Sequence, residues 1–83
     1  MFVNTDVELE CDVYAVPRPT VSWYKDGGLV TLGDYFHMVD RRNLRLLGLL
    51  VTDSGMYQCF ATNHVGTIQS AAQLFVRQRG ESF

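Results

Sequence analysis

Few side chains in this chain can do covalent or metal chemistry. The thiols are Cys11 and Cys59, the imidazoles are His37 and His64, and a carboxylate stands beside a hydroxyl at Asp53-Ser54. Nucleophilic catalysis needs a base within hydrogen-bond reach of the nucleophile. No spacing in this sequence supplies that pair. Zinc would need both cysteines and both histidines to converge, and their separations match no ligand motif. A metal-dependent hydrolase is therefore the weakest functional class. It would require a turnover that disappears on mutation of His37 or His64. Asp and Ser favour local bonds from side chain to backbone, so a tight turn is the expected use of Asp53. We assign no catalytic residue, no metal and no cofactor. What the two cysteines do depends on the elements that position them.

Those elements announce themselves through rare residues. Trp23 is the only tryptophan and lies between the cysteines. Tyr57 stands two residues before Cys59, within Asp53-Ser54-Gly55-Met56-Tyr57-Gln58-Cys59. This Cys…Trp…Tyr-x-Cys order resembles the framework of an immunoglobulin sandwich. The resemblance implies a Cys11–Cys59 disulfide tying one sheet to the other, with the Trp23 indole against its sulfurs. It also implies that the Tyr57 hydroxyl bonds back to backbone at the corner entering its own strand. Leu46 and Asp53 complete the expected framework. Closing that loop is worth about 4 kcal/mol in the chain-entropy model, against roughly 5–10 kcal/mol for a whole domain of this size. A bridge implies an oxidising compartment. Two buried, reduced thiols, as in intracellular muscle-type immunoglobulin domains, are the alternative.

Size and charge narrow the field. With 83 residues there is room for one domain, and a core this small gains from a staple. The net charge of −2 argues against a nucleic-acid partner held by phosphate neutralisation. No apolar run approaches the ~18 residues of a membrane span; the longest, Leu46 to Val51, is broken by Gly48. The first six residues carry no basic region and no long apolar stretch, so they do not read as a signal peptide. We therefore expect a piece of a longer, membrane-anchored chain, with Met1 an added start. No Asn-x-Ser/Thr acceptor occurs at Asn4, Asn43 or Asn63.

Turn signals recur roughly every eight to twelve residues, as an all-β sandwich requires. They are Pro17-Arg18-Pro19, Asp26-Gly27-Gly28, Gly33-Asp34, Asp40 to Asn43, Asp53-Ser54-Gly55 and Asn63 to Gly66. Between them the pattern alternates with period two. Val7, Leu9, Cys11 and Val13 face one way, and Asp6, Glu8, Glu10 and Asp12 the other. Val21 and Trp23, Phe36 and Met38, Leu44, Leu46 and Leu49, Tyr57, Cys59 and Ala61, and Ala72, Leu74 and Val76 are expected to point inward. The stretch between the cysteines is too short for the two additional strands of a variable-type domain. Only Phe2 and Val3 remain to supply a first strand, so a full one is expected to be missing, or Met1 to Thr5 to form a short substitute. Gly66 is expected at the positive-φ position of a bulge. The predicted domain is 1–76, with 77–83 a linker or frayed tail.

The run Val7-Glu8-Leu9-Glu10-Cys11, followed by Pro17-x-Pro19-x-Val21-x-Trp23-x-Lys25-Asp26-Gly27, resembles the I-set immunoglobulin domain. So does Leu44-x-Leu46-x-x-Leu49 with Asp53-x-Gly55-x-Tyr57-x-Cys59-x-Ala61-x-Asn63-x-x-Gly66. Ala15 departs from the family's usual glycine. A narrower likeness lies in Asp34-Tyr35-Phe36, Asn43 to Leu49, Tyr57-Gln58-Cys59 and Ala72-Gln73-Leu74. These look like the last immunoglobulin domain of the DCC/neogenin receptor family, including its protogenin, Punc and Nope branch. The resemblance implies a non-catalytic, extracellular module of a plasma-membrane receptor for recognition, adhesion or neural guidance. It implies neighbouring immunoglobulin or fibronectin type III domains in the same chain, and a protein ligand. An immunoglobulin module of an intracellular sarcomeric scaffold is the alternative.

Two surfaces are candidates for contact. If Tyr57 and Cys59 point inward, Met56 and Phe60 point outward, and the same alternation puts Tyr24 and Phe75 on that face. Four large apolar residues on one solvent-facing sheet would mark an interface, although isolated exposed apolar residues are ordinary. Arg41, Arg42 and Arg45 gather around a predicted turn and would attract sulfated glycosaminoglycan; a solvated hairpin is the bland alternative.

Overall fold

The computed structural model describes residues 1–13 and 15–78. Among the described residues seven strands form two antiparallel sheets, and there is no α-helix. In chain order they are β1 (Val7–Leu9), β2 (Thr20–Lys25), β3 (Gly28–Leu29), β4 (Phe36–Val39), β5 (Asn43–Leu46), β6 (Gly55–Thr62) and β7 (Thr67–Leu74). One sheet has the order β1-β5-β4 and the other β3-β2-β6-β7. The chain crosses between layers after β1, β3 and β5, while β2–β3, β4–β5 and β6–β7 pair within a layer, as in a Greek-key sandwich. The expected all-β, immunoglobulin-like class is the observed one.

The core lies between the layers because period-two alternation gives each sheet one apolar face. Trp23, Leu44, Leu46, Leu49, Tyr57, Cys59, Ala61 and Leu74 are buried there, with Phe36 and Met38 packed at its rim. Cys11 and Cys59 are joined by a disulfide with a Cα–Cα distance of 5.9 Å. Trp23 sits directly opposite Cys59 in the β2–β6 register, which sets the indole beside the bridge.

Several inward residues lie outside the strands expected to carry them. β1 ends at Leu9, yet Cys11 and Val13 are buried. The Asn43 side chain accounts for this. Its Oδ1 accepts the Cys11 N–H at 3.1 Å and its Nδ2 donates to Glu8 at 2.9 Å. A side chain thus replaces the ladder where the chain leaves the sheet. Leu49 lies past β5 and Val76 past β7, both still buried.

Gly66 corrects an expectation. Positive φ occurs at Gly27, Gly48 and Gly55 but not at Gly66. The β6–β7 turn is closed by Asn63 instead, whose Oδ1 accepts from the N–H groups of Val65 and Gly66 at 2.8 and 3.2 Å. An Asx side chain that mimics a backbone turn removes the need for a left-handed glycine.

The first residues do pair. Phe2 forms a parallel bridge with Arg77. Arg77 N–H donates to Met1 at 2.9 Å, and Val3 N–H to Arg77 at 3.1 Å. This is the short substitute edge rather than a full strand. Residues 79–83 of the expected tail lie outside the described residues.

Candidate interaction surfaces

The corner before β6 fixes how that strand presents its outer face. A single 3-10 turn, Val51–Asp53, leads into it. Asp53 is buried, and its carboxylate accepts the Leu50 N–H at 2.7 Å and the Tyr35 hydroxyl. The Tyr57 hydroxyl donates to the Asp53 carbonyl at 2.6 Å. Asp53 therefore works structurally, and Tyr57 makes its corner bond. Gly55 follows with φ of 158°. A Cβ there would stand 2.6 Å from an Asp26 carboxylate oxygen. That approach lets Asp26 accept the Met56 N–H at 2.9 Å, and the same bond holds its carboxyl below the ordinary carboxylate range.

Burial pushes the Tyr57 phenol well above its ordinary value near 10, with the Asp53 charge adding to it. Burial and the Asp53 bond raise Tyr35 to about 12. Both phenols hold their protons more tightly folded than unfolded. Their contribution is whole below pH 10 and is lost as pH rises, because the unfolded chain ionises first. The urea midpoint is accordingly expected to be lower at pH 11 than at pH 9. The Tyr35→Phe variant should show a shallower fall. A midpoint unchanged between those pH values would contradict the assignment.

With β6 so placed, Met56, Gln58 and Phe60 face outward between β2 and β7. Tyr24 and Phe60 meet edge to face, their ring centroids 5.2 Å apart. Met56 is 41% exposed and Phe75 65% exposed, so Phe2 does not cover Phe75. Phe75 lies just beyond the end of β7, at the margin of the face. The structure adds Leu29, opposite Tyr24 in the register and 65% exposed. The sequence hid it because β3 is two residues long and shows no alternation.

The three arginines separate. Arg45 is exposed on β5, opposite Glu8 on β1 and His37 on β4. Arg41 and Arg42 turn toward the end of the sandwich, where they line a depression of about 330 Å³ with Arg18. Arg18 was missed because the loop between β1 and β2 is remote from the β4–β5 hairpin in sequence. His37 is exposed on β4 and contacts the Asp34 carbonyl at 2.9 Å; no group of three or more metal-ligating side chains occurs among the described residues.

Comparison with known proteins agrees with this architecture. The profile described as Immunoglobulin I-set domain matches residues 2–76. The chain is 48% identical over 75 residues to netrin receptor DCC of Rattus norvegicus, covering 90% of this chain and 5% of that one. It is 48% identical over 73 residues to neogenin of Homo sapiens, covering 88% of this chain and 5% of that one. It thus spans about one twentieth of the length of these curated relatives. Among solved structures, titin domain M7 superposes with a TM-score of 0.86 at 25% identity, over 93% of this chain and 82% of that one. A profile match across nearly all of the paired sheets, joined to that level of identity, settles the kinship: this chain belongs to the immunoglobulin I-set domain family.

Proposed function

We propose that this domain is a non-catalytic, extracellular module of a plasma-membrane receptor acting in cell recognition, adhesion or neural guidance. The observation that carries this is the 48% identity to netrin receptor DCC over 90% of the chain. The disulfide supports it, because such bridges persist in oxidising compartments. In this role the module is a stapled rigid body that sets the spacing of flanking immunoglobulin or fibronectin type III domains. Tyr24, Met56, Phe60 and Phe75 then form its contact face for a neighbouring domain or a protein ligand. An edge-to-face aromatic pair on a face that also carries exposed Met56, with exposed Phe75 at its margin, suits that use.

The sarcomeric scaffold has one observation in its favour, the close superposition on titin domain M7. Identity to that domain is 25%, against 48% to the receptors. The test is antibody staining of intact cells that express the parent chain, paired with a count of titratable thiols in denaturant without reductant. Staining without permeabilisation and no free thiol are expected. Staining only after permeabilisation, with two free thiols, would establish the scaffold instead.

A further inference from the structure

The arginines at one end of the sandwich are placed for more than solvation. Arg18 stands between Pro17 and Pro19. A residue before proline is confined to extended backbone, and each proline ring fixes its own φ. The segment is tied down further by Asn63, whose Nδ2 donates to the Pro17 carbonyl at 3.0 Å. Arg18 is thus carried on a stiff stretch of chain.

Arg41 is held by the opposite kind of constraint. The β4–β5 hairpin closes through the Arg42 N–H to Val39 carbonyl bond at 3.0 Å. Its two central residues, Asp40 and Arg41, have φ of 55° and 58°. That is the primed turn that Asn-Gly or Asp-Gly normally fills. Asp40 suits the first position. Arginine is a poor choice for the second, since an L side chain in the left-handed region is strained. Strain of this sort collects at functional positions. Arg42 is anchored from the core, because Trp23 Nε1 donates to its carbonyl at 2.9 Å.

These three positions converge on the same place. Two adjoining depressions of about 330 and 370 Å³ share Arg18, Pro19, Val21 and Arg41, and the first adds Arg42 and Asp40. Among the described residues the one ion pair joins Lys25 to Asp26. Arg18, Arg41 and Arg42 therefore have no ion-pair partner there, although Asp40 lines the same depression. Guanidinium groups bind tetrahedral oxyanions through paired N–H donors, and all three arginines are exposed.

We propose that Arg18, Arg41 and Arg42 form a binding cleft for a sulfated glycosaminoglycan. Closely spaced sulfates on one polymer engage several arginines together, which a domain of net charge −2 needs if it is to hold a polyanion at all. The choice of a sulfated glycan as occupant rests on the extracellular placement proposed above. Arg45 is no part of the cleft, and Glu8 lies across from it.

The test is binding of the intact chain to a heparin decasaccharide and to the same oligosaccharide stripped of sulfate. Arg18→Ala and Arg41→Gly are each expected to weaken binding about tenfold, the fold-change of one charged hydrogen bond. Arg45→Ala should change it less than twofold. Asp40→Asn should tighten it, by removing the repelling carboxylate. Because glycine is at home in this turn, Arg41→Gly should not lower the melting midpoint. Elution of the intact chain from heparin at or below physiological ionic strength, about 0.15 M, would overturn the proposal. So would equal loss in Arg41→Gly and Arg45→Ala, equal affinity for the desulfated chain, or a drop in melting midpoint that accounts for the Arg41→Gly loss. These readouts need no cell, so their failure is distinct from a failure of the intact-cell staining.

Discussion

Replacing Cys11 and Cys59 together with alanine is expected to lower the unfolding free energy by about 4 kcal/mol. The bridge spans a sequence separation of 48 residues. A loop of that length loses substantial conformational freedom in the unfolded chain when its ends are joined, whereas the folded sheets already hold the two positions together. For a domain of this size the melting midpoint should fall by roughly 15–30 °C. Both sulfurs are buried, so the alanine variant also loses packing. Reduction of the native chain keeps the sulfurs and removes only the link. The reduced protein should therefore lie between the two, nearer the alanine variant. Thermal unfolding of all three checks this. Equal midpoints for the oxidised and reduced native chain would mean that the cross-link contributes nothing to the fold, and would favour the intracellular scaffold.

Tyr57 should show the next largest effect. It is the largest of the fully buried side chains, and its hydroxyl is bonded at 2.6 Å to the Asp53 carbonyl. Tyr57→Ala removes an aromatic ring from the middle of β6 and leaves that carbonyl without its donor. A loss of about 3–5 kcal/mol is expected from the cavity alone. Tyr57→Phe keeps the ring and deletes the bond, for about 1–2 kcal/mol. Urea unfolding of the two variants separates packing from the corner. If Tyr57→Phe cost as much as Tyr57→Ala, the hydroxyl would carry the whole effect and the ring none. If it cost nothing, the corner would be ornamental.

The framework was legible because its residues are rare and their faces follow from alternation. Trp23, Tyr57 and the cysteines could occupy their spacings in few other ways, and an inward Tyr57 makes Met56 and Phe60 outward. What could not be read is what depends on long-range approach. Nothing in the local sequence brings Arg18 to Arg41, or sends Arg45 to a different face from Arg42. The need for Gly55 is likewise distant, since the carboxylate that crowds it belongs to Asp26, in another turn. Strand ends were misplaced where side chains such as Asn43 took over from the ladder. Gly66 was misjudged because Asn63 could close the turn without it.

The seating of the only indole beside a cystine has an optical consequence. An excited indole hands an electron readily to a neighbouring disulfide, so the tryptophan emission of the native chain should be strongly quenched, leaving that of its four tyrosines. Opening the sheets, or cutting the sulfur link within them, would switch the indole emission on.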